Sequence, residues 1–296
     1  MYVKRDEEYL KTARPLLNIG GLMRYNRGQG GIVLNQLNIL DREKLPLNRI
    51  KKANITKALL ANMGAVFAGT KTIVAGAGLQ YEPVQIPDAR FNAFVNRTGR
   101  PRWFPGPGDV SKMPVGDQTF ANVDYHLSDF STSPVPTVFM LKGGGSDVQE
   151  TEVEGIKVGR AADALFFLHT FHPSGSIDGW QRQHDEAIRR DRELPDPPVV
   201  FQYVVHYADG KQEIVPVVWQ AGVGTWISDA PAALPAAAVA WTGPLGEEQQ
   251  AVVYSMQWNN PRPDVAIESI DIVSSPDGPK WGTPAVFAIT TAKAMK

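Results

Sequence analysis

Two histidines three residues apart, His169 and His172, form the closest pair of histidines in this chain. On a helix, that spacing could place both imidazoles on one zinc ion. Here they follow the apolar run Leu165–Leu168, which is typical of a strand, and residues three apart on a strand point to opposite faces. We therefore expect structural histidines, with His169 near a strand end and bonded to a neighbouring carbonyl. A zinc pair is the alternative.

Several carboxylates could serve as the general acid and base of a hydrolase. They are Asp109, Asp117, Asp178, Glu268 and Asp271. A glycosidase needs two such groups facing each other across a cleft at a defined separation, which a sequence does not reveal. Glu268 lies in a predicted strand, so an outward-facing strand carboxylate is the alternative there. The chain contains no Gly-x-Ser-x-Gly elbow and no Walker-type phosphate loop.

Tryptophans in predicted loops are the third group of side chains that could carry function. Exposed aromatic rings commonly stack on the apolar C–H faces of sugars, while neighbouring polar groups donate and accept hydrogen bonds. This chemistry predicts a ligand-binding set of loop tryptophans with polar neighbours: Trp103, Trp180, Trp226, Arg182 and Asp178. The alternative is that these rings cap the open ends of a sandwich.

Composition excludes several classes of partner and chemistry. The chain has 296 residues and a formal net charge of -1, so it offers no basic face for a nucleic-acid backbone. It has no cysteine, which removes disulfides, thiolate metal sites and cysteine nucleophiles. No apolar window reaches the length of a membrane span, and no hydrophobic signal region follows the charged residues at the start of this chain. The compartment stays open on this basis.

The first part of the chain has the pattern of an incomplete α/β unit. We expect a short helix over Glu7–Leu16, then strands at Leu22–Tyr25 and Gly31–Leu37 joined by a glycine-rich hairpin turn. Apolar residues at helical spacing predict a helix over Asn48–Met63. These elements are too few to bury both faces of a sheet, so residues 1–68 are interpreted as a partial α/β segment.

From residue 69 onward, short strands alternate with proline and glycine turns. The pattern predicts a mainly β, antiparallel jelly-roll β-sandwich over residues 69–296. A charged insertion near residues 174–195, between strands, is expected to be helical or mobile. The predicted strands are Gln80–Ile86, Thr119–Tyr125, Thr137–Leu141, Thr151–Val153, Ala164–His169, Val199–Tyr207, Glu213–Val218, Ala237–Trp241, Ala251–Trp258, Ala266–Ile272 and Ala285–Thr290.

Several sequence runs in this part carry a family resemblance: Pro114–Val123, Leu141–Gly143, Val153–His169, Tyr203–Gly210, and Trp258–Asp264 with Ile267–Asp271. Together they resemble the galactose-binding-like β-sandwich found near the C-terminus of large bacterial glycoside hydrolases and related carbohydrate-active proteins. The resemblance extends from about Thr70 to the C-terminus. Its motifs are long, but they are structural rather than catalytic.

The N-terminal part resembles a different fold. The run Gly28–Leu37 and the predicted helix ending at Gly64 are similar to the last strands and helix of a class I glutamine-amidotransferase-like α/β domain. Such domains occur without amidotransferase activity inside β-galactosidase-like enzymes. Because this chain has no cysteine, the resemblance carries no amidotransferase chemistry. It implies the C-terminal portion of a larger enzyme, or a subunit that completes its fold with a partner.

Three functions remain open at this point. The resemblance implies a non-catalytic carbohydrate-associated module or subunit of a glycoside hydrolase, which binds glycan or packs on a catalytic α/β or glycosidase domain. The alternatives are a glycoside-hydrolysing enzyme that uses loop carboxylates, and a structural or oligomerisation unit. The resemblance also implies a periplasmic or extracellular parent protein and a structural calcium ion held by oxygen ligands. The residues themselves indicate no ligand set for that ion.

Overall fold

The fold is taken from a computed structural model of the chain. It describes residues 13–15, 22–27 and 30–35 by their backbone, and in full residues 52, 55–56, 73, 75–76, 78–87, 90–95, 103–105, 108–129, 136–144 and 147–295.

Three short strands near the N-terminus form an antiparallel sheet in the order β1 (Ala13–Pro15), β2 (Leu22–Arg27) and β3 (Gly30–Asn35). The β2–β3 pairing, with Asn26 opposite Gly31, confirms the predicted hairpin. The helix predicted over Glu7–Leu16 is wrong at its C-terminal end, because β1 pairs with β2 there. Pro15 has no N–H to donate within a helix, which favours this extended end.

The predicted helix over Asn48–Met63 lies mostly outside the described residues. Its three described residues, Lys52, Ile55 and Thr56, are helical. The Thr56 hydroxyl donates to the Lys52 carbonyl oxygen at 2.9 Å, one turn back along the chain. The partial α/β character of residues 1–68 stays a prediction.

From Leu79 onward the described chain is mainly strand, as the sequence predicts. The strands are β4 (Leu79–Pro83), β5 (Gly116–Phe120), β6 (Val123–Leu127), β7 (Phe139–Met140), β8 (Glu152–Arg160), β9 (Ala164–Pro173), β10 (Val199–Tyr207), β11 (Gln212–Val218), β12 (Ile227–Ser228), β13 (Ala237–Pro244), β14 (Gln250–Asn259), β15 (Ile267–Ser274) and β16 (Gly282–Ala294). Two helices, α1 (Gly175–Arg189) and α2 (Gly278–Trp281), interrupt them.

Most of these strands belong to two antiparallel sheets. One has four strands in the order β11–β10–β15–β8. The other has seven, running β12–β14–β9–β16–β4 with β13 added on β14 and β7 on β16. The hairpin β5–β6 forms a separate two-stranded sheet. The antiparallel β-sandwich is therefore confirmed, whereas jelly-roll connectivity stays a prediction.

The inner strands of the seven-stranded sheet, β14, β9 and β16, are buried on both faces. One face contributes to a hydrophobic core with the four-stranded sheet, where Phe167 stacks on Tyr203 with ring centroids 3.8 Å apart. The other face contributes Phe166 and Leu168 to a second core, which includes Tyr125 of the β5–β6 hairpin. Burial on both faces explains the unbroken apolar run at the start of β9, because neither face of that strand meets solvent.

The predicted and observed strand boundaries agree best for a strand that is hydrogen-bonded to neighbouring strands along its whole length. The predicted strand Val199–Tyr207 coincides with β10, which lies between two neighbours. The single strand predicted over Thr119–Tyr125 is wrong, since the chain reverses at Ala121 and Asn122 to form the β5–β6 hairpin. Both turn residues have positive φ, 50° and 64°, a conformation that two-residue hairpin turns require and that asparagine tolerates.

The charged insertion is helical rather than mobile. Helix α1 begins after Ser174, whose hydroxyl accepts a hydrogen bond from the Ser176 amide at 3.1 Å and caps the helix. Ile177, Trp180 and Ala187 form the buried side of α1. Among the described residues, no helix is long and apolar enough to cross a membrane.

Candidate functional site

The two histidines of β9 lie on opposite faces of the seven-stranded sheet, as their spacing predicts. His169 is fully buried between the two sheets. Its Nε2 lies 3.0 Å from the Gly222 carbonyl oxygen, and its Nδ1 lies 2.8 Å from the Tyr203 hydroxyl. A carbonyl oxygen only accepts, so Nε2 carries the proton and Nδ1 accepts from the hydroxyl. Burial lowers the pKa of His169 to about 4, which keeps the imidazole neutral near pH 7.

His172 is bound on the opposite side of the same strand. Its Nδ1 accepts a hydrogen bond from the Trp226 indole N–H at 3.0 Å, and its ring stacks on Phe104 with centroids 5.5 Å apart. Burial lowers its pKa as well. The alternative of a zinc pair is therefore wrong for His169 and His172. In the described part of the chain, no three histidine or carboxylate side chains gather to hold a metal ion.

The five residues of the predicted ligand-binding set do not lie together in the structure. Trp103 and Trp226 come together in the second core, in a T-shaped contact with centroids 5.7 Å apart. Trp180 lies on α1 against the first core and donates its indole N–H to the Asp196 carbonyl oxygen. Asp178 and Arg182 are exposed on α1, away from its buried side.

All three predicted tryptophans are buried, with side-chain exposure of 5% for Trp103, 7% for Trp180 and 0% for Trp226. The predicted stacking platform is therefore not formed by these rings, because a sugar needs an accessible aromatic face. They occupy the cores instead. Sequence alone missed this because the elements that cover each ring come from distant parts of the chain. A ligand-binding role for the five-residue set stays a prediction.

The five candidate acids lie on separate elements or along one strand. Asp109 accepts from the Ser111 amide at 2.9 Å within a loop, and Asp117 contacts His126 at 2.7 Å on the β5–β6 hairpin. Asp178 is on α1, whereas Glu268 and Asp271 are both on β15. Glu268 is exposed, which confirms its expected outward orientation. A groove of about 520 Å³ beside α1 is lined by none of the five, but by Gln183, Glu186, Ala187, Arg192, Glu193, Leu194, Pro195 and Asp196.

The four-stranded sheet turns one side to the core and the other to solvent. We call the solvent side the open face. On its central strand, Val204 pairs with Ile214 of β11 on one side and with Asp271 of β15 on the other. The open face consists of the outward-facing residues of the four strands: Glu152, Glu154, Lys157, Gln202, Val204, His206, Gln212, Ile214, Pro216, Glu268, Ser269, Asp271 and Val273.

A hydrogen-bonded pair fixes the middle of the open face. His206 Nε2 lies 2.6 Å from Asp271 Oδ2, and the Asp271 carboxylate also accepts from the Gly155 amide at 2.7 Å. The two side chains keep 34% and 15% of their surface accessible. This pair presents a polar centre beside the aliphatic side chains of Val204 and Ile214. The sequence placed both residues on strands but gave no sign that they meet, because the contact depends on strand register.

The conspicuous motif Trp258–Asp264 has a structural role. Arg262 stacks over the Tyr207 ring at 4.5 Å and donates to Asp209 at 2.9 Å. The Tyr207 hydroxyl donates to Asn260 at 2.5 Å. Hydrogen bonding to Arg262 lowers the pKa of Asp209 to about 2, and burial raises the pKa of Tyr207 to about 12. The motif therefore joins the turn after β10 to the loop after β14.

The chain was compared with protein-family models and with curated proteins. No protein-family model matches this chain, and no curated protein matches it. The resemblance to galactose-binding-like modules therefore stays an interpretation of the sequence runs named above.

Proposed function

We propose that this chain is a non-catalytic, carbohydrate-associated module of a glycoside hydrolase, and that it acts through surface contact with the open face. The observation that carries this proposal is the location of the side chains that could do chemistry: they are bonded inside the cores. His169, His172 and Trp226 bond one another or their neighbours inside the cores. The open face, in contrast, presents apolar and hydrogen-bonding groups side by side to solvent.

The composition of the open face favours packing on a protein domain over stacking on a sugar. Its described side chains include no tryptophan, tyrosine or phenylalanine. Sugar-binding surfaces commonly rely on such rings, whereas protein interfaces combine apolar side chains with surrounding polar groups. The resemblance supplies the identity of the partner, because galactose-binding-like modules of this type accompany catalytic domains of carbohydrate-active enzymes.

Hydrolysis and glycan-binding assays on the purified chain test this proposal. We expect no release of product from a panel of chromogenic glycosides and weak or no retention on a glycan array. Hydrolysis that is lost in Glu268→Gln or Asp271→Asn would support the enzyme alternative instead. The exposed Lys157→Gln variant is the matched control, because it changes a charge on the same sheet without touching a carboxylate.

One observation favours the second candidate, a structural or oligomerisation unit. Ile214 leaves 54% of its surface in solvent, and it lies beside the aliphatic side chains of Val204 and Pro216 rather than alone. If copies of the chain associate through it, sedimentation equilibrium will show a dimer that Ile214→Glu dissociates. A monomer at all concentrations would remove this candidate.

A further inference from the structure

We propose that the open face docks on a folded protein surface of different sequence, one with an aliphatic patch beside a lysine- or arginine-rich region. This inference rests on the proposed function, since it specifies what the packing partner must present. It also specifies that contact is made face to face, without addition of a strand to the sheet.

The aliphatic part of the open face lies toward its β11 side. Val204 and Ile214 are directly opposite each other on β10 and β11. Tyr207 and Lys211 form a hydrogen-bonded pair, and the two kinds of pair alternate along the strands, so Val204 and Ile214, three positions further on, form a non-hydrogen-bonded pair. Side chains in such pairs approach closely. Pro216 extends this group along β11, and Val273 lies across Gln202 from Pro216. The open face therefore has an apolar patch on its β11 side, beside the polar His206–Asp271 pair.

The charges of the open face are predominantly acidic. Glu152 and Glu154 lie on β8, Glu268 and Asp271 lie on β15, and Lys157 is the basic residue among the outward-facing positions. Two copies packed through this face would bring like charges together, which disfavours a second copy of this chain as the occupant. A protein surface rich in lysine or arginine would instead be attracted to the acidic side chains of the open face.

The edges of the four-stranded sheet are unsuited to strand addition. On β11, the alternation set by the Tyr207–Lys211 bond directs the backbone groups of Gln212, Ile214 and Pro216 toward the free edge. Pro216 has no N–H, so a new strand would lose a hydrogen bond there. On β8, Gly155 and Gly159 have positive φ, 67° and 68°, and the register shifts opposite them.

The size of the open face fits a contact between domains. Four strands spaced by about 4.8 Å, each contributing roughly seven residues of about 3.3 Å, cover about 400 Å² on one partner. Contacts between domains bury roughly 600–1,500 Å² in total, counting both sides. A contact of this size, about 800 Å² counting both partners, is also in the range of weak, transient complexes between separate proteins.

Photo-crosslinking in the organism that encodes this chain tests the inference. The photoreactive residue p-benzoylphenylalanine replaces Ile214 in one strain and Ile188 in another. Ile188 is a matched control, because it is an isoleucine of similar exposure, 47% against 54%, but lies on α1. We expect a product specific to position 214, whose partner is identified by mass spectrometry and then purified.

Binding of the purified partner completes the test. We expect Ile214→Glu to weaken binding on the order of tenfold or more, and Ile188→Glu to leave it unchanged. Raising the ionic strength to about 0.5 M should also weaken binding of the unmodified chain, because salt screens the acidic side chains of the open face. The inference is overturned if position 214 crosslinks to a second copy, if it yields no product above that of position 188, or if Ile214→Glu binds normally. A specific partner that is not a carbohydrate-active enzyme would refute the proposed function and leave the docking face intact.

Discussion

Acidification should destabilise this protein through one buried side chain, His169. Its pKa is lowered by burial to about 4, whereas an imidazole in an unfolded chain titrates near pH 6.5. Between these values the unfolded state binds more protons than the folded state, so stability falls as the pH falls. The loss begins below about pH 6.5 and is complete near the folded pKa. The difference in pKa corresponds to about 3 kcal/mol.

The variant His169→Gln isolates this contribution. Glutamine does not titrate, and its amide can donate to the Gly222 carbonyl and accept from the Tyr203 hydroxyl in the same place. Urea denaturation at several pH values between about 7.5 and 4 gives the free energy of unfolding of each variant. We expect the wild type to lose about 3 kcal/mol more over this interval than the variant does.

Carboxylates also titrate in this interval, but they are common to both proteins and cancel in the comparison. The reasoning is refuted if His169→Gln loses stability with acid as steeply as the wild type. That result would mean that the folded protein accepts the proton on His169 at little cost.

Three further predictions concern packing, charge and metal content. A methyl group on Gly143 would overlap the Gly282 carbonyl, so Gly143→Ala should cost about 3 kcal/mol in chemical denaturation, whereas Gly144→Ala, with its nearest neighbour at 3.7 Å, should be close to neutral. Replacing Arg262 by Gln removes the hydrogen bond that holds the pKa of Asp209 at about 2, so carbon-detected NMR titration should show that pKa rising toward its ordinary value; no rise would contradict the pairing. If the calcium implied by the resemblance is bound, adding a chelator will lower the melting temperature, and an unchanged value will count against the ion.

Local sequence patterns predicted those parts of the fold that depend on neighbouring residues. Alternation and turn residues placed β10 correctly, and strand geometry put His169 and His172 on opposite faces. The patterns failed where a distant segment decides the outcome. Nothing within β9 shows that β14 and β16 flank it, or that a second layer covers its outer face.

Strand register explains why the candidate site was harder to predict than the fold. His206 and Asp271 are 65 residues apart, and their contact exists because β10 and β15 pair with Val204 opposite Asp271. A shift of that register by one residue would turn Asp271 into the core. The expectation that the loop tryptophans present accessible rings was wrong for a related reason. Trp226 was assigned to a loop from its neighbours, but its burial depends on Phe104 and His172, which lie far from it in sequence.

The most distinctive sequence motif of this chain closes a corner of the fold. Tryptophan, asparagine, arginine and proline in Trp258–Asp264 attract attention because few residue types can close that corner: Arg262 must reach both a ring and a carboxylate, and Asn260 must accept from Tyr207 while donating to the Ala162 carbonyl. Because few residue types satisfy this geometry, the sequence at the corner is distinctive. A docking face makes weaker demands on each position, since many aliphatic and polar residues fit an outward strand position equally well. Function on such a surface shows in the arrangement of ordinary residues, and Ile214 is the position at which that arrangement is tested.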